Sequence, residues 1–155
     1  MMKLRKSIRI TDGIIIRKFS IEDYGSLIGL WGLAGLPHKP AGRDERKNIE
    51  REIHQPNAVF LVAERKGCLI GSAFGTHDGR KGWINRVAVL PSYRRQGIAA
   101  ALVNEVEERI KSMGISIIAC LVEDWNKDSL KFFEKMGYIR HKEIFYLTKR
   151  EGPHT

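Results

Sequence analysis

The chain has 155 residues, 43% hydrophobic and 29% charged, and 27 lysines and arginines against 18 aspartates and glutamates give it a formal net charge of +9. This length suits a single domain, 1–155, with a real core and frayed ends at 1–7 and 150–155, and no run approaches the roughly 20 apolar residues of a membrane span. The basic residues are scattered rather than gathered in one block with interleaved aromatics, so nucleic acid is not the expected partner.

Residues 1–6 are basic but lead into no apolar h-region, so they do not read as a signal peptide, and a cytoplasmic location is expected. Cys68 and Cys120 each sit in an apolar run outside any metal-ligand spacing. Free buried thiols and no metal are therefore expected.

The first predicted strand is the β-branched run 14–19. Ser20 then caps a helix, with Asp23 at the capping-box position. Ile21, Tyr24, Leu27, Ile28 and Trp31 recur at helical spacing on its apolar face, and Gly29, Gly32 and Gly35 with Pro37 and Pro40 are expected to break it. The charged segment 44–54 reads as a mostly solvated helix that packs through Ile49 and Ile53.

Strands follow over 59–64 and 68–74, joined by the Lys66-Gly67 turn. A turn over 78–82 leads into a strand over 83–89. A long helix runs from Gly97 through Leu102, Val103, Val106, Ile110 and Met113, with Gly114 just past its end. An apolar strand over 115–122, a helix over 127–136 stopped by Gly137 and a last strand over 145–147 complete the order β-α-α-β-β-β-α-β-α-β. A hairpin meander with crossovers outside it predicts a mixed α/β (α+β), mostly antiparallel sheet with helices on both faces.

The segment Arg94-Arg95-Gln96-Gly97-Ile98-Ala99 stands between a strand and a helix start. The first amides of a helix lack intrahelical partners, the helix dipole adds positive character there, and two arginines supply full charge. A phosphorylated ligand is expected. The P-loop pattern G-x-x-x-x-G-K-[ST] is absent, and the turn lacks the position and glycine spacing of a dinucleotide fold.

Three segments carry a resemblance to the GNAT superfamily of acyl-CoA-dependent N-acyltransferases. The pattern [QR]-x-x-G-x-[GA] is matched by Arg94, Gly97 and Ala99. The preceding V-A-V-x-P-x-Y is matched by Val87-Ala88-Val89-Leu90-Pro91-Ser92-Tyr93. The later asparagine and [LF]-[YF]-x-x-x-G-[FY] are matched by Asn126 and Phe132-Phe133-Glu134-Lys135-Met136-Gly137-Tyr138. The similarity extends over about 14–147 and includes the element order.

The resemblance implies an N-acetyltransferase that moves an acetyl group from acetyl-CoA to a primary amine of a small molecule, a peptide N-terminus or a lysine. It implies that backbone groups of Val87, Ala88 and Val89 pair with the pantetheine arm like an added strand. Amides of Arg95, Gln96, Gly97, Ile98, Ala99 and Ala100 would hold the pyrophosphate, with Arg94 or Arg95 offsetting its charge. Asn126 would bond the pantetheine or cap its helix, and both roles are compatible. A homodimer is compatible with this reading, and a membrane partner is not expected.

Departures from the family pattern concern proton transfer. The tyrosine many members use as acid is Phe133 here, which would instead pack in the core against the acyl end of the cofactor, and the two familiar carboxylate positions hold Leu121 and Asn85. His77 and Asp78 are the candidate catalytic pair, because a histidine at a strand end could relay a proton through water. The competing reading gives them plain hairpin-turn chemistry. Tyr24 and Tyr138 are candidate acids, Glu123 and Asp124 could attract a cationic acceptor, and Trp31, Trp83 and Trp125 could line its groove. A non-catalytic acyl-CoA-binding or regulatory module is the alternative function.

Overall fold

The computed structural model describes residues 7–10, 12–153 and 155. Its six strands are β1 (Ser7–Arg9), β2 (Ile14–Lys18), β3 (Val59–Arg65), β4 (Cys68–His77), β5 (Lys81–Val89) and β6 (Ile117–Cys120), in the sheet order β1-β2-β3-β4-β5-β6. Neighbours are antiparallel except β5 and β6, which are parallel. The helices are α1 (Tyr24–Ala34), α2 (Arg46–Ile53), α3 (Ile98–Ser112) and α4 (Lys127–Lys135).

Alternation along the central strands sorts side chains to the two faces. In β3, Val59, Leu61 and Ala63 join the core under α3 with Leu102, Val103, Val106 and Ile110. Phe60 and Val62 point the other way, into the core under α1 with Leu27, Leu30 and Trp31. Helix α3 lies unusually close to the sheet because β4 presents Gly75. A Cβ added there would stand 2.4 Å from Val106 and 2.8 Å from Ile110.

The start of α1 is fixed by charge as well as by packing. The Asp23 carboxylate accepts the Ser20 backbone N–H at 3.0 Å, the half of the capping box expected of that residue. It also takes both Arg17 guanidinium nitrogens at 2.7 and 2.8 Å, and this pair holds its pKa below the ordinary carboxylate value. A depressed pKa contributes stability above the unfolded value, near 3.9, and loses it as the pH falls through the folded value. The stability difference between wild type and Asp23→Asn, from urea titrations, is therefore expected to be constant above about pH 5 and to shrink below about pH 4.

Several sequence expectations are corrected. Helix α1 runs through Gly29 and Gly32 and stops only at Gly35, whose φ is 74°. Burying Leu27, Leu30 and Trp31 on one face outweighs the roughly 1 kcal/mol that each helical glycine costs. An additional hairpin pairs Ser7 with Arg17 across Asp12-Gly13, so Ser7 belongs to a strand, while residues 1–6 lie outside the described residues. At the other end, the Arg150 guanidinium donates to the Thr155 carbonyl, and residue 154 lies outside the described residues. Strand β6 is shorter than the predicted 115–122, and Met113 is 39% exposed rather than packed.

The expected last strand over 145–147 is not formed, and its side chains are in solvent. A strand exists only where an edge pairs with it, and the segment pairs with none of the described strands. Cys68 is exposed rather than buried. Cys120 is partly buried, and desolvation pushes its thiol up to about 11. Both are free thiols, and no helix among the described residues is long and apolar enough to cross a membrane.

Candidate active site

Strands β5 and β6 stay paired only from Lys81–Ile117 to Ile84–Cys120. Beyond Ile84 they part. A bulge in β5 helps to turn it away, because Ser72 pairs with Ala88 but Phe74 with Asn85, so three steps on β5 meet two on β4. The bulged residue is Arg86, at φ 55°. From Asn85 to Val89 the outward backbone groups of β5 have no strand partner on that side.

This free edge opens into a cavity of ≈ 570 Å³. Its walls include Val87, Ala88 and Val89 from β5, Gly35, Leu36 and Pro37 after α1, and Trp125, Asn126, Phe132 and Phe133 from the start and middle of α4. Its far end is the start of α3. Of the residues expected to meet the cofactor, Arg94, Arg95, Gly97, Ile98, Ala99, Ala100, Asn126 and Phe133 line the cavity with the Val87–Val89 stretch. Gln96 alone does not.

The phosphate end is built by backbone conformation. Arg95 and Gly97 both have left-handed backbone, at φ 63° and 77°, which turns the chain sharply before the helix. The first intrahelical bond of α3 runs from Ala101 N–H to Gly97 carbonyl at 3.0 Å. The amides of Ile98, Ala99 and Ala100 precede it, so they are the orphan donors of the helix start. A Cβ at Gly97 would meet no atom within 4 Å, so the space beside it is open.

The two arginines separate in role. Arg94 ties the walls together: its Nε donates to the Val89 carbonyl at 3.1 Å and its Nη2 to the Ala34 carbonyl at 3.0 Å. Arg95 makes no hydrogen bond or ion pair among the described residues, which leaves it as the cation available at the mouth. Asn126 caps α4, its Oδ1 accepting the Ser129 N–H at 3.2 Å.

The proton-transfer candidates are placed less favourably. His77 ends β4, opposite Gly82, and its Nδ1 accepts the Gly79 N–H at 3.0 Å. Asp78 Oδ1 accepts the Arg80 and Lys81 N–H groups at 2.9 and 2.8 Å, and these bonds hold its pKa below the ordinary value. Both side chains build the β4–β5 turn, and neither lines the cavity. The hairpin expectation for Asp-Gly describes what they do here.

Phe133 is buried, with edge-on rings from Phe132 and Tyr138 at 5.1 Å. Tyr138 is half-buried; burial raises its pKa first and the Glu107 charge second. Its hydroxyl and Glu107 Oε1 are both enclosed and interact with each other. Tyr24 donates to the Asp44 carbonyl at 2.8 Å and is engaged away from the cavity. Glu123 and Asp124 are exposed in the loop after β6. Of the three tryptophans only Trp125 lines the cavity: Trp31 is fully buried with its Nε1 on Ser72, and Trp83 faces Asp78.

One group of functional weight is missed by sequence reading. Asp44, expected on a solvated helix, is 5% exposed and receives Arg86 Nη2 at 2.6 and 2.8 Å and the Lys39 N–H at 2.8 Å. Arg86 also donates to the Pro37 carbonyl at 2.8 Å and lies over the Trp31 ring at 5.0 Å. The pair thus clamps the 36–44 loop, one wall of the cavity, onto the bulge of β5. No local sequence signal marks it, because the partners are 42 positions apart.

A free strand edge that runs into orphan helix amides and an available arginine defines a site for a long ligand, amide-like at one end and phosphorylated at the other. An acyl-CoA has this form, with pantetheine amides at one end and a pyrophosphate at the other. The model of the acetyltransferase (GNAT) family matches residues 19–138, and the chain belongs to that family.

Solved structures agree at the level of the fold. An aminoglycoside 6'-N-acetyltransferase from Acinetobacter baumannii is 22% identical with a TM-score of 0.74, covering 90% of this chain and 100% of its own. A glucosamine-6-phosphate N-acetyltransferase from Arabidopsis thaliana is 21% identical with a TM-score of 0.71, covering 91% and 100%. The paia N-acetyltransferase from Thermoplasma acidophilum, in complex with coenzyme A, is 25% identical with a TM-score of 0.70, covering 81% and 89%.

Proposed function

We propose that the protein transfers an acetyl group from acetyl-CoA to a primary amine, by direct attack within a ternary complex. The observation that carries this reading is the continuity of the cavity from the unpaired β5 edge to the orphan amides of α3. The pantetheine amides add to the edge at Val87–Val89 as a further strand would. The pyrophosphate takes the amides of Ile98, Ala99 and Ala100, with the Arg95 guanidinium over it. The relative solved with coenzyme A supports the same ligand.

The acceptor enters between the 36–37 wall and the loop after β6, where Glu123 and Asp124 draw a cationic amine. Its ammonium first loses a proton to solvent. The amine nitrogen then attacks the thioester carbon, with the carbonyl oxygen polarised by an N–H of the free β5 edge. The C–N bond forms, the C–S bond breaks, and sulfur leaves as thiolate. Phe133 has no proton to give, so water protonates the thiolate. His77 and Asp78 keep their turn-building roles, and proton removal passes through water.

The acceptor is a small molecule, a peptide N-terminus or a lysine side chain. The test is release of free thiol from acetyl-CoA across a panel of such amines. Amine-dependent release supports the enzyme reading. Tight coenzyme A binding with no release by any amine favours a binding module, the reading suggested by Phe133, Leu121 and Asn85.

The two arginines separate in the same assay. Arg95→Ala is expected to raise the KM for acetyl-CoA about tenfold with an unchanged melting temperature, since it removes one charge-assisted contact to the ligand and none within the protein. Arg94→Ala is expected to lower stability by about 1 kcal/mol, because two carbonyls lose their donor. An equal fall in melting temperature for both would refute the division.

A further inference from the structure

Three polar or charged side chains are buried among the described residues, those of Asp44, Arg109 and Ser72. Asp44 braces the 36–44 loop through Arg86, and Arg109 pairs with Glu105. Ser72, in the middle of β4, is 0% exposed and lies opposite Ala88, beside the bulge of β5. A hydroxyl is kept in such a place only where its hydrogen bonds are made.

Both bonds of Ser72 are made, and their direction is fixed. Trp31 Nε1–H donates to Ser72 Oγ at 3.0 Å, and an indole nitrogen can only donate. The hydroxyl proton therefore goes to the Arg86 carbonyl, 2.7 Å away. The register passes from Ser72–Ala88 to Phe74–Asn85 and skips Arg86, whose backbone stands at φ 55°. The Ser72 bond thus fixes the bulge from the β4 side. The Arg86 guanidinium closes the circuit by lying over the Trp31 ring at 5.0 Å.

A trans peptide is planar, and its carbonyl and N–H point in opposite directions. The Arg86 carbonyl is turned toward β4, so the N–H of the same peptide, on Val87, is turned away from it. That is the side from which β6 has parted, and Val87 lines the cavity there whereas Arg86 does not. Leu90 sets the same alternation from the other end: its N–H reaches the Ile70 carbonyl of β4, which leaves the N–H groups of Val89 and Val87 facing outward. We propose, on the donor reading given above, that Ser72 is a positioning residue for acetyl transfer: its hydroxyl, aimed by Trp31, holds the 86–87 peptide so that the Val87 N–H meets the thioester carbonyl oxygen. A donor fixed before the substrate arrives needs no reorganisation as charge builds on that oxygen. Coenzyme A has no acyl carbonyl, so Ser72 bears on the reaction and little on holding the cofactor.

The probe is acetyl-CoA isotopically labelled at the thioester carbonyl carbon, read by infrared difference spectroscopy with no amine present. Bound to the wild type, its carbonyl stretch is expected at lower frequency than in free acetyl-CoA. Bound to Ser72→Ala, it should move back toward the free value. Ser72→Cys repeats the test with a side chain of similar size whose S–H is a weak donor, and serves if the alanine variant does not fold. With any accepted amine, kcat should fall about tenfold to a hundredfold in either variant, up to the scale of one lost oxyanion donor. The Kd of coenzyme A should change less than about twofold, since only the transition-state contact is weakened. A wild type that binds acetyl-CoA with an unshifted carbonyl, or variants that keep both the shift and kcat, would overturn the role of Ser72 and leave the acetyl-CoA site standing. An equal loss of coenzyme A affinity and of the shift would also overturn it, by making Ser72 a part of the fold alone. Failure of the wild type to bind acetyl-CoA would remove the donor reading, and the role of Ser72 with it.

Discussion

Gly97→Glu is expected to abolish the stabilisation of the protein by acetyl-CoA and to reduce turnover at least about 100-fold, since even the loss of one preorganised oxyanion donor has that scale. Two effects combine. Gly97 has φ 77°, and a side chain in the left-handed region costs about 1 kcal/mol. The larger effect is charge: the Cβ points to open space beside the Ile98–Ala100 amides, so the carboxylate occupies the place the pyrophosphate needs. Gly97→Ala separates them, since it carries the strain without the charge. Thermal shift at saturating acetyl-CoA, worth about 2.7 kcal/mol at a hundred times Kd, reads the difference. The alanine variant should melt lower yet keep most of the ligand shift, and the glutamate variant should keep none. Full retention by the glutamate variant would place the pyrophosphate elsewhere.

Asp44→Ala is expected to cost about 3–5 kcal/mol, the range for removing one partner of a buried ion pair. The Asp44 and Arg86 side chains are 8% and 17% exposed and meet at 2.6 Å. Burial already pushes the Arg86 pKa down, and the Asp44 charge is the chief influence opposing it. Without Asp44 the guanidinium stays enclosed against Trp31 with only the Pro37 carbonyl, and the Lys39 N–H loses its acceptor. The double variant Asp44→Ala with Arg86→Ala should be less destabilised than the sum of the two single variants, which urea titrations of all four proteins measure. The KM of any accepted amine should rise with Asp44→Ala, because the 36–37 wall is released. A single-variant cost below about 1 kcal/mol would show that the clamp is dispensable.

The elements at one end of the cavity were legible because they are local. A strand, a left-handed turn and a helix start follow one another between Val87 and Ala100. The sequence motif therefore marks them without knowledge of distant contacts. The same locality explains why α3, with Leu102, Val103, Val106 and Ile110 at helical spacing, and the Lys66-Gly67 hairpin were readable. The hairpin of β1 and β2 also had a local signal, Asp12-Gly13 between two isoleucine-containing runs, which a search for Asp-Gly turns would find.

What escaped reading is what depends on long-range partners. Asp44 reads as one more charge on a solvated segment, yet Arg86, brought to it by the bulge of β5, makes it a buried clamp. Arg94 and Arg95 are equivalent in the motif, and only the positions of the Val89 and Ala34 carbonyls give Arg94 a structural task. His77 and Asp78 carry the right chemistry for proton transfer, but their strand ends beyond the cavity and the turn takes up both side chains.

By itself, then, the sequence determined the alternation of strands and helices, the two-faced core and the strand, turn and helix start that line one end of the cavity, because periodicity and turn chemistry act over a few residues. The tertiary structure alone decided which charged residues brace the cavity, which of the two arginines is engaged within the protein, and that the strand-forming run Ile144-Phe145-Tyr146-Leu147 pairs with no strand among the described residues. Strand pairing and ion pairing are properties of two surfaces, and a run of residues specifies only one of them.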